Sequence, residues 1–198
     1  MNMVTVPDVI PQADMCTYTA CYCEENVWKL CELVKERCTE YELMKCFCVF
    51  ISNSAKKVPL WHQKASQNPE RLVVWDYHVI FMYYDTDTSL VYDLDTELGF
   101  PCTLKEYVSA CIGDERTLKK QFWRMFRVIP ALEFLSTFAS DRSHMLNDEK
   151  EWLATPPKYP PIKCLGVDNN ISEFISMDQS TNHGDVFNLQ QFLSRFQL

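Results

Sequence analysis

A chain of 198 residues suits one domain, or one domain with a small appendage, and buries roughly 70% of its unfolded surface without help from disulfides or metal. Its 47% hydrophobic and 13% aromatic content calls for a real core, and its 4 glycines (Gly99, Gly113, Gly166 and Gly184) are too scattered for a glycine-rich phosphate loop. A net charge of −8 with no basic stripe disfavours nucleic acid and anionic membrane as partners and suits a cationic ligand.

Residues 1–15 carry Pro7 and Pro11, show no periodicity, and lack the basic and apolar regions of a signal peptide, so a loose lead-in is expected. Just after Cys23 come the acidic first-turn residues Glu24 and Glu25. Val27, Leu30, Cys31 and Val34 follow at helical spacing, which predicts a helix to about Arg37. Residues 45–52 (KCFCVFIS) read as a buried strand, with residues 58–61 as a short strand beside it. Residues 72–84 (LVVWDYHVIFMYY) are apolar on both faces and predict one central strand. A polar turn over 85–89 leads into a returning strand over 90–94, which makes a hairpin. Residues 104–111 read as a helix, and 122–129 are ambiguous between strand and helix. Residues 132–139 read as a short helix and 140–145 (SDRSHM) as a polar loop. Residues 147–161 contain four prolines and form a long connector before terminal helices at 171–174 and 189–196. A helix, a meander of strands and then further helices predict a single α+β domain over residues 1–198.

Ten cysteines in a chain with a full core and no secretory signal are expected as reduced thiols of the cytoplasm or nucleus. The longest apolar runs are far too short to span a bilayer. Cys16, Cys21 and Cys23 (C-x4-C-x-C) with Cys46 and Cys48 raise the question of zinc. The last two, however, share one face of an apolar strand, which is a core pattern, and no metal is expected.

Cys23 stands out because a helix start leaves backbone N–H groups unpaired and favours an anion, one route to a reactive thiolate. Glu24 and Glu25 oppose that effect, so an imidazolium would be needed nearby. Without a partner, the thiol reads as a small buried residue. Of the four histidines, His78 alone falls on the central strand, where a base would have fixed geometry; His62, His144 and His183 fall in loops or at element edges. At period two, Leu72, Val74, Asp76, His78, Ile80 and Met82 share a face. On the returning strand Val91, Asp93 and Asp95 share a face. Pairing Tyr84 with Ser89 sets His78 opposite Asp95, and a two-residue slip sets it opposite Asp93, so periodicity leaves the orienting acid open.

The run Trp75-Asp76-Tyr77-His78-Val79 resembles the signature of the protein N-terminal glutamine amidohydrolase family, the WDYHV-motif proteins. Cys21 to Asn26 with Trp28 to Cys31 match the same family, as do Tyr92 to Thr96, Phe100-Pro101, Phe126 to Ile129, Ala139 to Met145 and Phe174 to Asp178. The resemblance covers roughly residues 16–196. It implies a papain- or transglutaminase-like fold, an antiparallel sheet flanked by helices with the nucleophile at a helix N-terminus. It also implies a cofactor-free Cys-His-Asp site in which Cys23 is the nucleophile, His78 the base and acid, and Asp93 the orienting carboxylate. The implied reaction converts N-terminal glutamine of proteins or peptides to glutamate in the N-degron pathway. Separately from the resemblance, a monomer with no nucleic-acid or membrane partner is expected. Recognition of the substrate ammonium calls for an acid, with Glu24, Glu25, Asp76 and Asp95 as the available residues. The SDRSHM loop is expected to line the cleft. Competing classes are a papain-like protease and a non-catalytic module that binds N-terminal Gln or Glu.

Overall fold

The computed structural model describes residues 10–86 and 88–198. Helix α1 (Cys23–Lys35) buries Val27, Leu30, Cys31 and Val34, the positions that recur at helical spacing. A Thr39/Glu42 capping box starts the single turn α2 (Glu40–Leu43), and β1 (Cys46–Ser52) follows. Strands β2 (Val58–Leu60), β3 (Val73–Trp75), β4 (His78–Asp85), β5 (Thr88–Tyr92) and β6 (Cys102–Thr103) lead into the single turn α3 (Leu104–Tyr107). Then come β7 (Met125–Pro130), α4 (Ala131–Thr137), α5 (Ile171–Ile175), β8 (Asp185–Asn188) and α6 (Leu189–Arg195).

Six strands form one antiparallel sheet in the order β6-β5-β4-β1-β7-β8, so β4 and β1 are central. Strand alternation divides the core in two. Cys46, Cys48, Phe50, Val79 and Phe81 face α1, α4 and α5, whereas Val49, Ile51, Ile80 and Met82 face α3 and α6. The fold is thus a single α+β domain with an antiparallel sheet covered by helices. Among the described residues no helix is long and apolar enough to cross a membrane.

Several expectations need correction. The apolar run 72–84 is two strands rather than one, because exposed Asp76 turns its carboxylate onto the following Tyr77 N–H (3.0 Å) and the ladder stops there. Leu72, Val74 and Asp76 therefore do not continue the face that His78 shares with Ile80 and Met82. Strand β2 does not lie beside β1. The Asn53 side chain accepts the N–H groups of Ala55 and Lys57 and turns the chain off the sheet, so β2 pairs with β3 in a separate two-stranded sheet. The helix expected over 104–111 is one α turn followed by a π turn, Val108–Ile112. Residues 122–129 resolve as a strand, β7. Of the lead-in, residues 1–9 lie outside the described residues, as does Asp87 in the hairpin turn. Ile10, by contrast, is packed into the core and is not loose. Residues 147–161 form no helix or strand, yet hydrogen bonds from Arg142 and Tyr22 tie them to the body of the domain.

Phe50 is the hub of the α1-side core. Its ring meets those of Phe134, Phe138, Phe174 and Tyr77, the last stacked at 6.2 Å. This contact fixes Tyr77 immediately before His78. Phe50→Ala is expected to cost about 3–5 kcal/mol, read as a lower denaturant midpoint. A loss below about 1 kcal/mol would contradict the hub role, since a relaxed site would lose little beyond transfer energy.

Candidate active site

Cys23 is the first residue of α1, and no side chain caps the helix there, so the first-turn N–H groups keep their anion-binding capacity. The approach to the helix is clamped instead by Asn26. Its side chain accepts the Thr19 N–H at 2.8 Å and donates to the Thr19 carbonyl at 2.9 Å. Cys21 is exposed in the left-handed region (φ 68°), outside the helix, whereas Cys23 is buried at its start. Burial, then the carboxylates of Glu24 and Asp95, push the Cys23 thiol well above its ordinary value, and the Val79 N–H acts the other way.

His78 opens β4 and is held on one side by pairing with Ile51 of β1. Of the two hairpin registers left open by the sequence, the one with Tyr84 opposite Ser89 is formed, and its extension would carry His78 to Asp95. The ladder ends at Phe81 opposite Tyr92, however, and the chain then turns, with the Asp95 N–H bonding to Asp93 Oδ1 at 2.9 Å. This turn brings Asp93, not Asp95, to the imidazole, at 3.1 Å from His78 Nε2. Tyr107 donates to the other Asp93 oxygen at 2.9 Å, and Trp75 stacks on the imidazole at 5.5 Å. Both His78 and Asp93 are buried. Burial works against the imidazolium, but the Asp93 charge and hydrogen bond prevail and raise His78 above the usual histidine range. For Asp93, burial raises the carboxyl, but His78 and the N–H and O–H donors prevail and lower it. His78 Nδ1 is buried and has no partner among the described residues, so it is the nitrogen left for a reacting group.

The four other acids occupy distinct surroundings. Glu25 is fully buried in a two-pronged pair with Arg142, at 2.7 and 2.8 Å. Arg142 also donates to the carbonyls of Pro157 (3.2 Å) and Tyr159 (3.0 Å), and Tyr22 donates to that of Ala154 (3.2 Å). The proline-rich segment is thereby strapped over the start of α1. Glu24 is fully buried, accepts from Tyr77 at 2.9 Å, and lies 3.7 Å from the Cys23 sulfur. Asp95 accepts from the half-exposed Tyr18 at 2.6 Å, and Asp76 is exposed. The SDRSHM loop reaches the site through Arg142 and through His144, which contacts Tyr77 at 3.3 Å. Sequence reasoning missed Tyr18, Tyr107 and the individual parts played by Tyr77, Trp75, Arg142 and His144. Trp75 and Tyr77 did carry a signal, since they flank the strand break inside the WDYHV run. The others reach the site only through long-range folding.

Among the described residues, the one group of three possible metal ligands is His78, Asp93 and Asp95, with ligand atoms within 4.8 Å of one another. No cysteine belongs to it. Both Asp93 oxygens already accept hydrogen bonds, so the cluster is occupied by protein donors rather than laid out as an open coordination site. Cys46 and Cys48 lie in the core, on the α1 side.

Breaking a buried, doubly hydrogen-bonded pair leaves one charge uncompensated. Glu25→Gln is accordingly expected to cost about 3–5 kcal/mol of stability, visible as a drop in Tm of roughly 6–20 °C for a domain of this size. An unchanged Tm would show that the pair does not hold the strap to α1.

The model of the N-terminal glutamine amidase family matches residues 18–196. The chain is 43% identical over 189 residues to the protein N-terminal glutamine amidohydrolase of Danio rerio, covering 95% of this chain and 93% of that protein. It is 44% identical to the protein of the same name from Bos taurus (94% and 89% covered) and 42% identical to that from Drosophila melanogaster (98% and 94% covered). With a matched region that takes in Cys23, His78 and Asp93 and nearly the whole domain, the chain belongs to the protein N-terminal glutamine amidohydrolase family.

Proposed function

We propose that this chain hydrolyses the side-chain amide of an N-terminal glutamine to glutamate and ammonia, with Cys23 as nucleophile, His78 as base and acid, and Asp93 orienting the imidazole. The observation that carries the proposal is the division of the His78 ring. Nε2 is committed to Asp93, while the buried Nδ1 is free, and the charge of the same Asp93 acts on Cys23. An antiparallel sheet that holds the His78–Asp93 pair, with a helix starting at Cys23 packed on it, supports a papain- or transglutaminase-like arrangement, with the whole chain as one catalytic unit.

In the reaction, the Cys23 thiol gives its proton to His78 Nδ1 as sulfur bonds to the amide carbon. The carbonyl electron pair moves onto oxygen, where uncapped N–H groups of the helix start are positioned as donors, each worth about 3 kcal/mol in comparable oxyanion holes. The C–N bond then breaks, the Nδ1 proton leaves with ammonia, and a thioester remains. Water gives a proton to the freed nitrogen and attacks the thioester. The C–S bond breaks, the thiol regains its proton, and glutamate is released. Asp95, whose charge acts on Cys23 and whose partner Tyr18 is half-exposed, is the acid best placed for the substrate ammonium. Glu25 is committed to Arg142, Glu24 is enclosed, and Asp76 turns to its own backbone. Family membership supports a place in the N-degron pathway, and ten unpaired cysteine thiols support a cytoplasmic or nuclear setting.

A Gln-initiated peptide should release ammonia and gain the Gln-to-Glu mass change, and acetylation of its terminus or Cys23→Ala should abolish both. Two backbone fragments would instead mean a protease, and binding without turnover would mean a recognition module. Asp93→Asn should lower kcat by about 10²–10⁴-fold, the range of a lost acid–base function, whereas Asp95→Asn should mainly raise KM. Loss of kcat in Asp95→Asn alone would reverse the assignment. Because Asp93 raises the His78 pKa, kcat/KM of the wild type should climb with pH through a midpoint above 6.5. Asp93→Asn removes the raising charge while burial persists, so its midpoint should move to lower pH; an unmoved midpoint would contradict the pairing.

A further inference from the structure

Cys23 is flanked by a second polar chain that the His78–Asp93 pair does not use. The Tyr77 hydroxyl donates to Glu24 Oε2 at 2.9 Å. A hydroxyl has one proton, so the 3.3 Å contact between Tyr77 and His144 Nε2 must run with the ring N–H donating to the Tyr77 oxygen. His144 Nε2 also lies 3.6 Å from Glu24 Oε1, an oxygen that is buried and has no hydrogen-bond partner among the described residues. The chain therefore runs from His144 through Tyr77 to Glu24, whose Oε2 is 3.7 Å from the Cys23 sulfur.

A carboxylate this close to a thiol opposes its ionisation, and each donor that loads the carboxylate reduces the opposition. Cys23 is faced by Glu24 on its own helix, by Tyr77 just before β4, and by Asp93 and Asp95 beyond β5. Asp93 is loaded by His78, Tyr107 and the Asp95 N–H, and Asp95 by Tyr18. Arg142 is committed to Glu25, so apart from the Cys23 thiol, which donates to Glu24 Oε2 at 3.7 Å, the Tyr77–His144 chain is the donor system of Glu24. His144 itself faces Glu24, Tyr77 and the nearby Asp141 of its own loop, and its side chain is 21% exposed, so its replacement leaves the packed core intact.

We propose that His144 is a positioning residue for the deamidation inferred above: acting through Tyr77, it loads the Glu24 carboxylate and so eases ionisation of the Cys23 thiol. The proposal rests on Cys23 being the nucleophile. Its test is the pH dependence of Cys23 alkylation by iodoacetamide in the full chain, with fragment masses separating Cys23 from Cys21. Near neutral pH, His144→Gln and Tyr77→Phe should each slow alkylation by roughly three- to tenfold, the scale of one ordinary net hydrogen bond, by raising the midpoint. Glu24→Gln should lower the midpoint, and adding His144→Gln to it should change nothing further. A His144→Gln protein with an unmoved midpoint would overturn the proposal, as would a His144→Gln shift of the same size with and without Glu24→Gln. The assay contains no substrate, so its failure is distinct from failure of the deamidation reading, which would show as full turnover by Cys23→Ala.

Discussion

The hydrogen bond between His78 Nε2 and Asp93 Oδ1 forms where the β4–β5 ladder stops, and the rest of the site is arranged around that stop. Had β5 continued, strand register would have presented Asp95 to the imidazole. Instead Asp93 folds inward, takes the Asp95 N–H onto the same oxygen, and receives Tyr107 from the α3 side on the other. A buried carboxylate supplied with three donors is a tolerable charge; without them it would be costly. The helix bearing Cys23 packs on the opposite face of the sheet. The start of β4 is thus where the two layers meet: His78 pairs with Asp93 there, and the charges of Asp93 and Asp95 act on Cys23.

Around the sulfur the electrostatics are unusual for a proposed nucleophile. Glu24, Asp93 and Asp95 all act on Cys23, and with burial they hold it as a thiol. Each acid is paired with something that restrains it: His78 for Asp93, Tyr18 for Asp95, Tyr77 for Glu24, and Arg142 for neighbouring Glu25. The acidic surroundings suit an enzyme whose proposed substrate carries a free ammonium, because that cation would arrive where negative charge is already concentrated.

Local signals made α1 and its apolar face legible, as well as β1 and the presence of the hairpin. Apolar spacing decides those elements before any long-range contact does. The break at Asp76 and Tyr77 was not legible, because an apolar run reads as one strand whether or not its middle leaves the ladder. Nor were β8 and the two-residue β6, whose edge pairing with β7 and β5 owes nothing to their own pattern. Within the site, the shared parity of Asp93 and Asp95 narrowed the orienting acid to two, and only the turn after Tyr92 separates them. His144 and Arg142 come from a loop more than a hundred residues from α1 in sequence, so no local pattern could place them beside Glu24 and Glu25. The proline-rich segment read as a connector because it lacks periodicity, yet its carbonyls anchor Arg142 and Tyr22.

The central claim is covalent chemistry at Cys23 that removes ammonia from the substrate side chain, and acid-quenched intact mass during turnover of a Gln-initiated peptide tests it directly. The account predicts a transient adduct equal to the protein plus the whole peptide less one ammonia, located on Cys23. An adduct carrying only an N-terminal fragment, an adduct on Cys21, or turnover without any adduct even when deacylation is slowed would contradict it.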